Sequence, residues 1–488
     1  MTNQQQTNNN NSNSNEIIIV VDPSSTGYNV ALEIKKRGYN VVALWSKSLR
    51  EERRAANSAK VFGNIEYLAE VEEGGNLQET KERLDEIKST GNVAGVVTAV
   101  FPGNEAGVPL ADALSEYLGL RSNGTLPNGA DRRNKYVQQE MVRKAGLPAV
   151  QQAIGLSFTD EIRSFLKNQS YPVVVKPNAG SGTDGVKLCY TYEEARDHFN
   201  FLLISFTSHY SIIERNEVLC QEFLKGKEYV VDHASRDGIH KTCMVWVYDK
   251  GEANGANFVP FAMKPVDPTS VEAIALVEYT RSALDAIQFK NGASHSEIML
   301  TPDGPRLVEI NCRTCGISGL WIELEKALNG GYSQVDAMVD AYLNPTAFFA
   351  IPDQPAFPFK SSGQIMVLVS YHKGSIQSVQ GLEKIKNLSS YVASNTPDFK
   401  VGDTFHKTVD LATTLGIVTL CHPDARKVQE DVKIIRSMEK HNGFFVNTSE
   451  GIEDKNDQEK DNESMLPQSG GQCLRRVSIY LKELERCL

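Results

Sequence analysis

The chain has 488 residues, room for about three domains at roughly 150 residues each. Hydrophobic residues make up 41% and charged residues 23%, a globular balance that excludes wholesale disorder. The net charge of −10 repels phosphate backbones and no basic patch offsets it, so nucleic acid is not an expected partner; no apolar run approaches the roughly 18 residues that span a membrane.

Residues 1–15 are almost all Asn, Gln, Ser and Thr, with neither the apolar core of a secretory signal nor the basic face of a transit peptide. They are expected to be a disordered leader, since such a segment buries too little apolar area to offset its ordering entropy. The eight cysteines are scattered rather than paired in a framework, which points to a reducing cytosol.

Glu16–Val21 is a β-branched run that reads as a strand, followed by a helical pattern from Tyr28 to Arg37 and a second strand from Tyr39 to Trp45. This βαβ opening implies a parallel sheet. Val93–Val100 reads as a further buried strand, and the loop Phe101–Gly107 leads into a helix over Val108–Leu118. Residues 16–127 are therefore expected to form an open α/β domain. The next helix is expected from near Asn128, with Val137, Met141, Val142 and Ala145 on its apolar face and Gly146 and Pro148 ending it. From Tyr171 to Arg313 the texture is strands and hairpins, followed by helix to about Tyr342. A Pro-rich linker, Pro352–Pro358, precedes a third unit from Ser361 to Val446. An acidic linker and a short terminal helix with Leu474, Val477, Leu481, Leu484 and Leu488 at helical spacing close the chain; that helix is expected to dock on the body and to play no catalytic part.

Two segments carry chemistry. In the first, the strand ending at Lys176–Pro177 runs into Gly180–Ser181–Gly182–Thr183–Asp184–Gly185. The glycines satisfy G-x-G-x-x-G, but a dinucleotide fold needs a helix next, and Val186–Thr191 reads as a strand. The loop is thus the tip of a β-hairpin, whose glycines let backbone N–H groups approach phosphates. A mobile surface hairpin with an exposed lysine is the plainer alternative.

In the second segment, Asp303–Gly304 is a hairpin turn between strands that carry Glu297 and Glu309, each in an apolar context. Glu309 and Asn311 are two apart and share a face. Two carboxylates and an amide make an oxygen-ligand site suited to Mg²⁺, with Mn²⁺ as an alternative; an exposed acidic strand pair is the competing reading. Cys312 and Cys315 form a C-x-x-C, but with no second pair and no helix start they read as small residues in a crowded loop rather than a zinc or redox motif.

Taken together and in this order, the segments resemble the ATP-grasp superfamily over about Glu16 to Val446. The stretches Glu228–Asp232, His295–Met299 and Glu309–Arg313, with Gly402–Asp403–Thr404 near the end, resemble its L-amino-acid ligase branch, which includes bacilysin synthetase. The resemblance implies an α/β and α+β multi-domain fold. After a leader (1–15) come an open parallel α/β domain (16–127) and an ATP-grasp domain (128–351) with a Gly-rich β-hairpin flap in a subdomain at about 155–225. A C-terminal α+β unit (352–446) and a tail (447–488) follow.

It also implies roles. Lys135 and Lys176 would hold the α- and β-phosphates of ATP, and Gly180, Ser181, Gly182 and Gly185 would cover them. The backbone of Glu222, Phe223 and Leu224 would bind adenine, with the carbonyl of Gln221 on its amino group and Glu228 on the ribose hydroxyls. Glu297, Glu309 and Asn311 would ligate Mg²⁺, while Arg313, Lys176 and His295 would act in catalysis. Arg313 lies two residues past Asn311, so on a continuing strand it would face the metal. The family pattern of a small residue, Arg, any residue and two glycines is replaced here by Cys312–Arg313–Thr314–Cys315–Gly316, which sets the acceptor pocket apart.

The implied activity is an ATP-dependent carboxylate–amine ligase that forms an amide through an acylphosphate and releases ADP and phosphate. Its partners would be a small carboxylate and an amine, in the cytoplasm, and a homodimer is compatible with this reading. The alternatives are a biotin-carboxylase-like carboxylase subunit, for which the Met-Lys-Met biotinyl signature is missing from this sequence, and a non-catalytic nucleotide-binding regulator, against which the intact acidic and basic residues argue.

Overall fold

The computed structural model describes residues 15–51, 54, 63–90, 95–127, 131–178, 185–207 and 217–445. The leader, the flap glycines Gly180 and Gly182 with Ser181, and the terminal helix lie outside the described residues. The chain divides into two compact units, residues 1–249 with 263–364, and residues 250–262 with 365–488.

The first unit opens with β1 (Glu16–Val21), α1 (Thr26–Lys36), β2 (Asn40–Trp45), β3 (Ala69–Glu72), α2 (Leu77–Thr90), β4 (Val96–Pro102) and α3 (Val108–Tyr117). The β-branched run of β1 is buried on both faces, as a central parallel strand must be. Strand order is β3-β2-β1-β4, parallel throughout. The order reverses direction at β1, and the loops after β1 and β4 meet there, at the carboxyl ends of the strands where open α/β sheets place ligands. The approach is close enough that a Cβ on Gly27 would lie 2.3 Å from the Gly103 carbonyl oxygen.

Next come α4 (Lys135–Lys144), β5 (Gln152–Gly155), α5 (Asp160–Asn168), β6 (Val173–Pro177), β7 (Lys187–Cys189), α6 (Tyr192–Ile204) and β8 (Val218–Glu222). Helix α4 begins at Lys135, where Asn134 caps it by accepting from the Val137 N–H, and not near Asn128. Its buried face also differs from the apolar stripe read in the sequence: Lys135, Gln138, Gln139 and Val142 are buried, while Ala145 is exposed. Strands β5–β8 form a four-stranded sheet in the order β5-β8-β6-β7. Val173–Val175 pair antiparallel with Cys189–Lys187, so the Gly-rich loop joins two strands of a hairpin.

The rest of the unit contains β9 (Lys227–Arg236), β10 (Ile239–Ala253), β11 (Ala256–Pro265), α7 (Val271–Ala286), β12 (Gly292–Thr301) and β13 (Gly304–Asn311), then α8 (Ile322–Asn329), α9 (Gln334–Leu343) and α10 (Pro345–Ala350). Helices α6 and α7 fall in the stretch read from sequence as strands and hairpins. Thr191 and Ser270 start them, each side chain accepting a backbone N–H of the first turn. Strands run in the order β13-β12-β9-β10. One face of this sheet carries Tyr229, Val231, Ile298, Leu307 and Ile310 into a core with Leu276, Val277, Ala283 and Leu284 of α7. The opposite face carries the polar residues described below.

The second unit holds the tip of the β10–β11 hairpin with β14 (Ser362–Val367), β15 (Gly374–Ser375), α11 (Gln380–Ile385), β16 (Tyr391–Asn395), β17 (Thr404–Phe405), β18 (Ile417–His422) and α12 (Ala425–Lys440). Its core gathers Met366, Leu368, Phe405, Val418, Leu420, Val428, Ile435, Phe444 and Phe445. No described helix is long and apolar enough to cross a membrane.

Candidate active site

The hairpin β12–β13 sets the geometry. Its register from the turn pairs Thr301 with Gly304 and Ile298 with Leu307, then shifts, so that Glu297 faces Glu309 and His295 faces Asn311. Val308 is the extra residue of this β-bulge. On the other side of β12, His295 faces Asp232 and Met299 faces Glu228 of β9. Side chains alternate along strands, so Glu228, Asp232, His295, Glu297, Glu309 and Asn311 share one face. The Asn311 Nδ2 donates to Glu309 Oε1 at 3.1 Å and to the His295 carbonyl at 3.3 Å, which leaves its amide oxygen as an acceptor.

Two lysines are brought to this face. Strand β13 is the edge of its sheet, and α4 closes that edge with glutamines. Gln138 donates to the Ile310 carbonyl at 2.7 Å and accepts from the Ile310 N–H at 2.9 Å; Gln139 donates to the Leu307 carbonyl at 2.8 Å. This pairing explains the polar buried face of α4, because unpaired strand-edge groups are costly when buried. It sets Lys135 Nζ 2.8 Å from Glu309 Oε2. Asn178, just beyond β6, accepts from the Tyr136 N–H at 3.0 Å, which ties the Lys176 strand to the start of α4.

Lys176 is buried, and among the described residues it makes no ion pair. Burial, and then the charge on Lys135, push its ammonium down to about 8, while Glu309, Glu297 and Glu228 pull the other way. Burial alone would raise the Glu309 carboxyl, but Lys135 and Lys176 hold it well below the usual range. Burial opposes a charge on His295, yet Cys315 and Asp232 keep its imidazole protonated well above its ordinary value. An acidic pair and two lysines thus balance in a buried setting, a poor arrangement for stability alone and a good one for a polyanion with a cation.

Beside this face, Gln221 on β8 donates through Nε2 to Gln152 Oε1 at 3.0 Å, so its carbonyl oxygen remains an acceptor. The connection Glu222–Gly226 follows; a Cβ on Gly226 would lie 2.2 Å from the Leu300 carbonyl oxygen, so only glycine fits there. Gly185, at the described end of the flap, has φ +72 and its carbonyl meets His198 Nε2 at 2.9 Å.

Arg313 departs from its expected place. Strand β13 ends at Asn311, so Arg313 does not continue the alternation; its Nη1 donates to the Thr314 carbonyl at 2.9 Å and its Nε lies 3.0 Å from Glu105 Oε2. Its counter-ion is therefore Glu105 of the loop after β4, and neither Glu297 nor Glu309. Glu105 is a residue the sequence reading passed over. It stands next to Asn104, which caps the short turn Glu105–Gly107, and that cap after a buried strand was the available signal. Burial raises the Glu105 carboxyl, against the pull of Arg313 and Arg133. Asp232, wholly buried beside His295, stands out in the sequence only as part of the stretch Glu228–Asp232.

Residues 169–320 match the family model for the ATP-grasp domain. Dapdiamide A synthase of Enterobacter agglomerans is 27% identical over 422 residues, 86% of this chain and 95% of that protein. Among solved structures, an L-amino acid ligase from Bacillus licheniformis aligns with a TM-score of 0.65 and 17% identity, over 87% of this chain and 98% of that one. An N5-carboxyaminoimidazole synthase from Aspergillus clavatus, in complex with ADP, aligns with a TM-score of 0.60 and 14% identity over 88% and 99%. Lys176, the hairpin strands around the flap and the opposed glutamates lie within the matched segment and Lys135 lies before it, so this part of the chain is similar to an ATP-grasp domain, and the fold is similar to that of an L-amino-acid ligase.

Proposed function

We propose that this protein is an ADP-forming ligase that joins amino acids, or similar small acids and amines, by an amide bond. The likeness to dapdiamide A synthase along nearly its whole length supports amide formation over a carboxylase-like or non-catalytic reading. The single observation that carries the site assignment is Lys176, a buried ammonium without an ion-pair partner among the described residues, set beside Lys135 and above the Glu297–Glu309 pair. A phosphate chain supplies the missing negative charge.

In this reading Lys135 and Lys176 hold the phosphates, Gln221 and the Glu222–Leu224 backbone the adenine, and Glu228 the ribose. Glu297, Glu309 and Asn311 present hard oxygen donors that fit Mg²⁺. When bound, that ion supplies charge neutralisation for phosphoryl transfer. Lys135 then exchanges Glu309 for phosphate oxygens. Arg313 presents a planar fork of donors to the carboxylate being phosphorylated, next to Glu105. His295, held by Asp232, lies with Nε2 3.8 Å from Glu297 Oε1 and adds positive charge where negative charge spreads over oxygens. The flap excludes water, so that the acylphosphate meets the amine and is not hydrolysed. Residues 16–127 serve as the preceding α/β domain and residues 352–446 as the C-terminal unit. The six described cysteines are all free, which supports a cytoplasmic setting.

The test is ATP turnover over all pairs of amino acids with mass detection of products. ADP release that needs both an acid and an amine, with an amide formed, is the expected result. Turnover that needs bicarbonate instead, or none with any pair, would overturn the reading.

A further inference from the structure

Next to the Glu297–Glu309 pair, along the same face of the sheet, lies a cluster of different chemistry. Asp232 of β9, His295 of β12 and Cys315 of the loop after β13 each offer one ligand atom, and these three atoms all lie within 4.8 Å of one another. All three residues are buried. His295 Nδ1 is 2.8 Å from Asp232 Oδ1, and the other Asp232 oxygen accepts from Trp246 Nε1 at 2.9 Å. Cys315 is fixed through its backbone: its N–H donates to Gln334 Oε1 at 2.9 Å, and Gln334 Nε2 donates in turn to the His233 and Ser294 carbonyls at 3.1 and 2.9 Å. One buried glutamine thus ties the cysteine to both strands that carry the other two groups.

Cys312 takes no part. It packs with Val108, Ile310 and the α7 residues in the apolar core, so the C-x-x-C spacing does not describe a two-cysteine site. The relevant set is one thiol, one imidazole and one carboxylate drawn from three separate segments.

We propose that Asp232, His295 and Cys315 form a second cation site, for a divalent transition metal of borderline softness such as Zn²⁺ or Co²⁺. Thiolate and imidazole select such ions over Mg²⁺, whereas Glu297, Glu309 and Asn311 offer only hard oxygens. A carboxylate and a thiolate together neutralise a divalent ion, which lets that charge sit in a buried place. Bond lengths of about 2.0–2.3 Å put tetrahedral ligand atoms about 3.4 Å apart, so the cluster must tighten around the ion while the Asp232–His295 pair opens slightly. Trp246 then orients the carboxylate from behind, as partners of metal ligands do. Three protein ligands leave a fourth position open. The proposal rests on these ligands alone; with the ion bound the His295 imidazole is neutral, and the ion carries the positive charge that the ligase reading gives to that ring.

The experiment uses full-length protein stripped with chelator and returned to excess Mg²⁺, titrated with Co²⁺ as the probe. A near-ultraviolet thiolate-to-cobalt charge-transfer band, saturating at one equivalent per chain and abolished by Zn²⁺, is expected. It should survive in Cys312→Ala. In Cys315→Ala and Cys315→Ser, both checked for fold by circular dichroism, cobalt affinity should drop about tenfold or more and the band should vanish. Asp232→Asn should weaken cobalt affinity as well. Absence of the band in the wild type, its survival in both Cys315 variants, or its loss in Cys312→Ala would overturn the proposal.

Discussion

Arg313 Nε lies 3.0 Å from Glu105 Oε2, an ion pair that joins the loop after β13 to the loop after β4. Both groups are largely buried, so each depends on the other for charge compensation. Lysine at 313 would keep the charge and lose the fork. Arg313→Lys should therefore bind ATP with nearly unchanged affinity, while kcat falls by about a hundredfold or more, as for loss of one aimed donor. ATP affinity, kcat and melting temperature on that variant decide the matter. An unchanged kcat with a lowered melting temperature would make Arg313 a partner of Glu105 and nothing more.

Glu309 faces Glu297 across the hairpin and also pairs with Lys135. Glu309→Gln removes a charged ligand from the proposed Mg²⁺ set and leaves Lys135 without that partner. Turnover should drop by several kcal/mol in transition-state terms, on the order of a hundredfold or more, while circular dichroism stays native. Activity within about threefold of wild type at millimolar Mg²⁺ would count against the metal assignment.

Lys176 links stability to pH. Its folded value is about 8 against an ordinary 10.5. Between these values the unfolded chain keeps the proton that the folded chain has lost. The unfolded state then binds more protons, and stability rises with pH. The penalty is present in full below about 8 and is gone above about 10.5. Lys176→Met should therefore be more stable than wild type at pH 7, by up to about 3 kcal/mol, with the advantage shrinking as pH climbs through this window. The same variant should lose ATP turnover. A variant less stable than wild type at pH 7 would show that Lys176 is not held at a cost.

Gln138 makes three hydrogen bonds, to the Arg132 and Ile310 carbonyls and from the Ile310 N–H. Gln138→Ala would leave buried backbone groups unpaired, for a loss of about 2–4 kcal/mol in denaturant unfolding. Because the same bonds set Lys135 against Glu309, the KM for ATP should rise as well. A large stability loss with an unchanged KM would separate α4 packing from the placement of Lys135.

The site was legible where residue type alone carries it. Two glutamates flanking a turn and a lysine before a glycine-rich loop stand out in any chain, and the hairpin form of that loop followed from the strand after it. The face of α4 was legible only in part: Val142 and Met141 pack into the core as their spacing implies, but apolar periodicity overlooks a strand edge as neighbour, and Gln138 and Gln139 are buried to satisfy it. Helices α6 and α7 lie between strands and were missed, although their Ala, Leu and Glu favour helix and Thr191 and Ser270 mark their starts. The Arg313–Glu105 pair and the Asp232–His295–Cys315 cluster join segments far apart in the chain, and no local pattern encodes such meetings.

Val308 has no partner across the hairpin. If the ladder ran on from the turn with Val308 paired and no bulge, Glu297 would face Val308, and the two carboxylates would miss each other by one rung. The chemistry of this face thus depends on the ladder leaving Val308 out of its count, whatever residue stands there. Substitutions at 308 should be absorbed, and removal of that one residue would close the bulge into an unbroken ladder in which Glu297 still meets Glu309 and His295 still meets Asn311; the carboxylates part only if the ladder closes up with Val308 retained.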